Sequence, residues 1–173
     1  MTARLLQIAA ILLVCFMIDQ ISKWIILEKV MVPARVIHVT SFFNLTLGFN
    51  TGVSFGFFKD TIAERPGMLA TIKAMIIVGL VIWAALTQSR MESSGLAMIA
   101  GGALGNTVDR WRQGAVTDFL DFHWADWHWP TFNLADVAIV GGATLMFAAA
   151  MLPAPPPDMT PSENAQSEKP RQS

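Results

Sequence analysis

Five of the eight aspartates in this 173-residue chain, Asp109, Asp118, Asp121, Asp126 and Asp136, fall within 28 consecutive residues that contain no glutamate. Asp118 stands in AVTDFLDF between a valine–threonine and a phenylalanine–leucine pair, a poor setting for an idle solvated carboxylate. Asp136 stands in FNLADVAIVGGATLMF, at the mouth of an otherwise apolar helix, where it could also cap the helix or complement its dipole. Two carboxylates in low dielectric that share one proton are the minimal apparatus of an aspartyl hydrolase.

Other ionisable residues are grouped as well. Asp19 and Lys23 are four apart and share one helical face in the order that favours an ion pair. GGALGNTVDRW places Asn106, Asp109 and Arg110 in one turn after a run of small residues, and adjacent Asp109 and Arg110 read most simply as a charge-compensated pair. DFHWADWHW, with Asp121, Asp126, His123 and His128, invites a metal reading, but its spacing matches no ligand motif and no metal site is expected. Cys15 is the single cysteine, so there is no disulfide framework.

The elements that must position these groups follow from composition. Residues of the set AVILMFWYC make up 53% of the chain, charged residues only 14%, and the net charge is −1. A soluble domain carries roughly 25% charged residues, so this chain is membrane-like; with no basic surplus, nucleic acid is not an expected partner. Four stretches approach the roughly 20 helical residues a bilayer core requires, at about 5–27, 68–86, 95–111 and 134–152. The fold expected is an all-α membrane protein, one catalytic domain over 1–152. A small extramembrane β-rich segment, Val36–Val39 and Phe42–Leu47, lies between helices one and two. Residues 153–173 hold six of the nine prolines and only three of the apolar set, and read as a disordered tail. Arg4 and the apolar run Leu5–Ile18 resemble a signal peptide, but Asp19–Lys23 offers no small-residue cleavage site, so a retained span is expected.

Antiparallel order brings the end of helix one, the start of two, the end of three and the start of four to one face, where all the intramembrane ionisable groups lie. One site built from all four helices is the economical reading. Trp24, Trp111, Trp124, Trp127 and Trp129 mark that face as an interface belt. Charge does not orient it: Arg4, Arg90, Lys169 and Arg171 on the terminal side stand against Lys29, Arg35, Lys59, Arg65, Arg110 and Arg112 on the site side, which mildly opposes cytoplasmic termini.

The strings IDQISK, FNTGVSFG, GGALGNTVDR, VTDF and FNLAD, in this order and spacing, resemble lipoprotein signal peptidase, the type II signal peptidase of bacteria, over roughly residues 5–152. The resemblance implies a four-helix inner-membrane aspartyl endopeptidase with both termini cytoplasmic and its site near the periplasmic face. It would cleave prolipoproteins just before a diacylglyceryl-modified cysteine. It assigns catalysis to Asp118 and Asp136, and site-shaping roles to Asp19, Lys23, Asn50, Gly52, Asn106, Arg110, Asn133 and Ala135. It implies no cofactor, and a monomer working on lipidated precursors amid membrane lipid is expected. Two alternatives stand beside it. A small proton-coupled transporter also needs intramembrane Asp, Lys and Arg but requires a polar path to both faces; a non-catalytic assembly subunit would use the charges only for helix pairing.

Overall fold

The computed structural model describes residues 2–52 and 66–152, so Val53–Gly56 of the FNTGVSFG string and the proline-rich tail lie outside the described residues. Four long helices are present: α1 (Thr2–Ile25), α2 (Pro66–Leu86), α3 (Arg90–Gln113) and α4 (Leu134–Met151). A single π-helical turn, Ile26–Val30, prolongs α1. Among the described residues, two helices are long and apolar enough to cross a bilayer, Thr2–Val30 and Leu134–Met151, and Thr71–Leu86 is a shorter apolar stretch. Their apolar side chains point outward, with Leu6, Val140 and Phe147 each about two-thirds exposed; a lipid-facing surface, not a soluble core, accounts for that pattern.

Helix α3 is longer than the apolar pattern predicts. Its start moves back to Arg90 because Ser89 accepts a hydrogen bond from the Glu92 amide, and its end moves forward to Gly114, which takes a left-handed φ of 80° and returns its N–H to Arg110 O. Helix α4 starts where FNLAD predicts. The Asn133 side chain accepts from the Asp136 N–H, and the Asp136 carboxylate accepts from the Asn133 N–H, a reciprocal cap.

The β structure departs from expectation. Strands β1 (Ile37–Thr40) and β2 (Phe43–Asn50) form in the 28–67 connection as predicted, but β2 also pairs with β3 (Val116–Trp124), which in turn pairs with β4 (Trp127–His128), and the sequence suggests that β3 and β4 are interfacial loop. The sheet is antiparallel in the order β1-β2-β3-β4 and draws equally on both connections at the site face. Asn44 faces Asp121 and Gly48 faces Asp118, with a bulge in β2 between Leu45 and Gly48. Phe119, Ile26 and Met31 form a buried cluster with Leu45, Leu120 and Leu134 around it, which seats the sheet on the helix ends and fixes the depth of the neighbouring Asp118.

Deeper in the bundle, Leu96, Ala97 and Ala100 are fully buried and Ala138 nearly so. This apolar filling lies between the charged end of the bundle and the terminal side, where the polar contacts include Gln7 with Ser94 and Ser93 with Ala84 O. Helices α1 and α3 approach closely at Gly105, where an added Cβ would collide with Asp19 Oδ2. Gly105→Ala is expected to destabilise the protein by about 1–3 kcal/mol through overpacking. Gly79→Ala, where nothing lies within 4 Å of an added Cβ, is the matched control and should not lower the melting temperature in detergent. Equal melting temperatures for the two variants would refute the close-approach argument.

Candidate active site

Lys23 organises the charged end of the bundle. Its Nζ lies 2.8 Å from Asp19 Oδ2 and 2.8 Å from Asp109 Oδ2, and donates to Asn106 Oδ1 at 2.9 Å. The expected Asp19–Lys23 pair is present. The expected Asp109–Arg110 pair is not: consecutive helical residues point about 100° apart, and Asp109 turns inward to Lys23. Gln20 Nε2 at 2.9 Å and the Thr117 amide at 3.2 Å complete its hydrogen bonding. Asp19 also accepts the Ala135 amide at 2.9 Å through Oδ1. It thereby holds one of the free N–H groups at the start of α4, the role that Ala135, fully buried, plays through its backbone.

Asn106 and Asn133 carry this order to the two aspartates. Asn106 Nδ2 donates to Asp136 Oδ1 at 2.9 Å. Asn133 Nδ2 donates to Asp118 Oδ1 at 2.6 Å and to Asn106 Oδ1 at 3.2 Å. Asp118 and Asp136 are thus joined through a pair of side-chain amides, one carboxylate from a strand and one from a helix N-terminus. Asp118 is 2% exposed and Asp136 is half-buried, so the pair has a buried and an open member. Burial pushes the Asp118 carboxyl above the usual carboxylate range. Hydrogen bonds from Asn50 and Asn133 offset part of that shift, and the neighbouring Asp136 charge adds to it.

Asn50 and Gly52 close the site from β2. Asn50 Oδ1 accepts the Gly52 N–H at 2.8 Å, leaving its amide for Asp118. Gly52 has a φ of +75°, so the conformation favours glycine, and an added Cβ there would lie 3.3 Å from Arg110 Nη2 and press lightly on that side chain. Arg110 donates to Asn106 O at 3.3 Å, and its charge acts on Asp118, Asp136 and Asp109.

All eleven predicted site residues therefore converge on one end of the bundle, as the antiparallel arrangement requires. The structure adds Gln20, Thr117 and Gly105, whose roles depend on contacts between α1, α3 and β3. In DFHWADWHW the His128 Nδ1 pairs with Asp121 Oδ1 at 2.8 Å, and among the described residues no three His, Cys, Asp or Glu side chains gather as metal ligands. Cys15 is a free, half-buried thiol beside Gly101 in the apolar part of the bundle.

Residues 11–152 match the family described as Signal peptidase (SPase) II. The chain belongs to the signal peptidase II family. Similar relatives include the lipoprotein signal peptidase of Nitrobacter hamburgensis, 41% identical over 79% of this chain and 87% of the relative. The lipoprotein signal peptidase of Serratia marcescens is 37% identical over 78% of each chain. Two solved structures of a bacterial membrane enzyme, each 24% identical, share the fold: one has a TM-score of 0.68 over 83% of this chain and 86% of its own, the other 0.71 over 85% and 94%. Signal peptidase II membership, with the apolar helices above, makes this chain a bacterial membrane peptidase.

Proposed function

We propose that this signal peptidase II member cleaves prolipoprotein signal peptides by acid–base hydrolysis at Asp118 and Asp136. The cleavage itself is the activity of the family. The observation that carries the aspartyl reading is the amide bridge from Asp118 through Asn133 and Asn106 to Asp136. Two carboxyls held this way share a negative charge best when one of them keeps a proton. Asp118, the buried member, holds the proton, polarises the scissile carbonyl and later protonates the leaving amine. Asp136, open to the mouth of the site and seated at a helix N-terminus, deprotonates the attacking water. Lys23 and Arg110 offset the remaining negative charge, while Asn50 and Asn133 orient Asp118.

In this reading all four helices span the inner membrane, both termini are cytoplasmic, and the sheet lies at the periplasmic surface. The enzyme works as a monomer without a cofactor. Substrate arrives as a membrane helix with the bond at its polar end, and the diacylglyceryl group on the following cysteine holds that bond at the depth of the dyad. Each buried CH₂ contributes about 0.8 kcal/mol, so two acyl chains give ample anchoring. Purified protein given lipidated and unlipidated forms of one prolipoprotein in the same detergent should cleave the lipidated form at least about tenfold faster. Equal rates at the same bond would refute lipid positioning, and no cleavage of either form would refute the peptidase reading.

A further inference from the structure

One side chain from each strand of the sheet joins a single hydrogen-bonded line that the cleavage chemistry does not use. His38 Nδ1 on β1 lies 2.8 Å from Asn44 Oδ1 on β2, and Asn44 Nδ2 donates to Asp121 Oδ2 on β3 at 2.9 Å. Asp121 Oδ1 pairs with His128 Nδ1 on β4 at 2.8 Å, and the His128 ring stacks on His123 with centroids 5.1 Å apart. Asn44 and Asp121 are 3% and 5% exposed.

Burying an amide and a carboxylate between strands costs more than burying two apolar side chains of the same size. What the polar pair supplies in return is direction, since it is satisfied in one register only. Register needs that help here. β2 carries an extra residue between Leu45 and Gly48, and Gly48 has no side chain to resist a slip. Both sequence-predicted site residues that come from the sheet are placed relative to this clamp: Asp118 lies three residues before Asp121 on β3, and Asn50 six residues beyond Asn44 on β2. Burial pushes the Asp121 carboxyl up, but hydrogen bonds from His128 and Asn44 outweigh it and hold the group below the usual carboxylate range. At and above the usual carboxylate range the clamp therefore carries its charge.

We propose that Asp121 is a positioning residue which, with Asn44, His38 and His128, locks β2 in register on β3 and so holds Asn50 against the Asp118 carboxyl. The proposal rests on the dyad reading above and deepens it. Loss of the Asn50 contact removes a hydrogen bond that lowers the Asp118 pKa, so the upper limb of the pH–rate profile moves to higher pH. The other groups facing Asp118 are Asn133 and Asp136 from α4, Lys23 from α1 and Arg110 from α3, and none of them is altered.

The test compares Asp121→Ala, Asp121→Asn and His128→Gln with the unaltered protein on a diacylglyceryl-modified prolipoprotein, below the melting temperature of each. Asp121→Ala should lower kcat about tenfold or more with KM within about twofold, raise the upper pH limb, and speed amide exchange in Phe43–Asn50. His128→Gln, altered at a half-exposed ring, should fold and show the same shifts to a smaller degree. Asp121→Asn keeps the shape and one acceptor and should recover most of kcat. A lower melting temperature with kcat, pH limb and exchange unchanged would overturn the positioning role. Should Asp121→Ala fail to fold, His128→Gln with an unmoved upper limb would overturn it equally. Failure of the dyad reading is separately visible, as residual turnover in Asp118→Asn.

Discussion

Asp118→Asn and Asp136→Asn are each expected to lower cleavage by about 10³-fold or more while the protein still inserts and folds. Asparagine keeps the size and one acceptor oxygen of each carboxylate but can neither take a proton from water nor give one to the leaving amine. The two variants should nevertheless differ in stability. Because burial raises the Asp118 pKa in the folded state, its favourable contribution is fully present below its unfolded pKa and is lost as pH rises through the folded value. Above the usual carboxylate range the raised pKa makes Asp118 a cost to folding, so at neutral pH Asp118→Asn should melt at the same temperature as the unaltered protein or above it. Asp136 closes the reciprocal cap on α4 with the Asn133 amide, so Asp136→Asn, lacking a full carboxylate acceptor, should melt slightly lower. The unaltered enzyme should show a bell-shaped pH profile whose upper limb lies above the usual carboxylate range, where Asp118 gives up its proton. Near-normal turnover in Asp118→Asn, with activity abolished instead in Asp109→Asn, would show that the wrong aspartates had been assigned.

Much of this site is legible in the sequence because the helices carry it. A carboxylate at the end of an apolar run has to be explained, and Asp19, Asp109 and Asp136 each stand at such an end; antiparallel order then brings them to one face. The resemblance of five short strings supplies Asn50, Gly52, Asn133 and Ala135, which composition alone does not single out. Two features escape a reading along the chain. Adjacency suggests Arg110 as the partner of Asp109, yet adjacent helical side chains diverge, and the true partner, Lys23, lies on another helix. Strand β3 escapes because its pairing partner is β2, on the far side of α2 and α3 in the sequence. Read locally, Asp121 and the histidines near it are loop polarity; paired across the sheet, they are a buried polar line. Non-local hydrogen bonding decides both cases, and no local propensity encodes it.

The second large effect is expected at Lys23. Lys23 is 3% exposed, and its ammonium balances Asp19, which is fully buried, and Asp109, which is 6% exposed. Lys23→Met keeps most of the aliphatic stem but leaves two buried carboxylates facing each other without a cation. Breaking a buried ion pair by removing one partner costs about 3–5 kcal/mol. Here one cation serves two anions, so the loss should fall at the upper end of that range, seen as a large drop in melting temperature in detergent. The same bookkeeping predicts a rescue. Lys23→Met combined with Asp19→Asn and Asp109→Asn removes all three charges and should recover most of the lost stability, because neutral groups of similar shape are not costly to bury. Activity should not return with it. Asn106 would still lack the ammonium that orients its Oδ1, and the N–H of Ala135 would face an amide in place of the Asp19 carboxylate. Stability restored without cleavage would separate the cation's charge-balancing role from its part in aligning the amides that bridge Asp118 and Asp136. A Lys23→Met protein that melts within about 1 kcal/mol of the original would mean that water or a neighbouring group already compensates the two carboxylates.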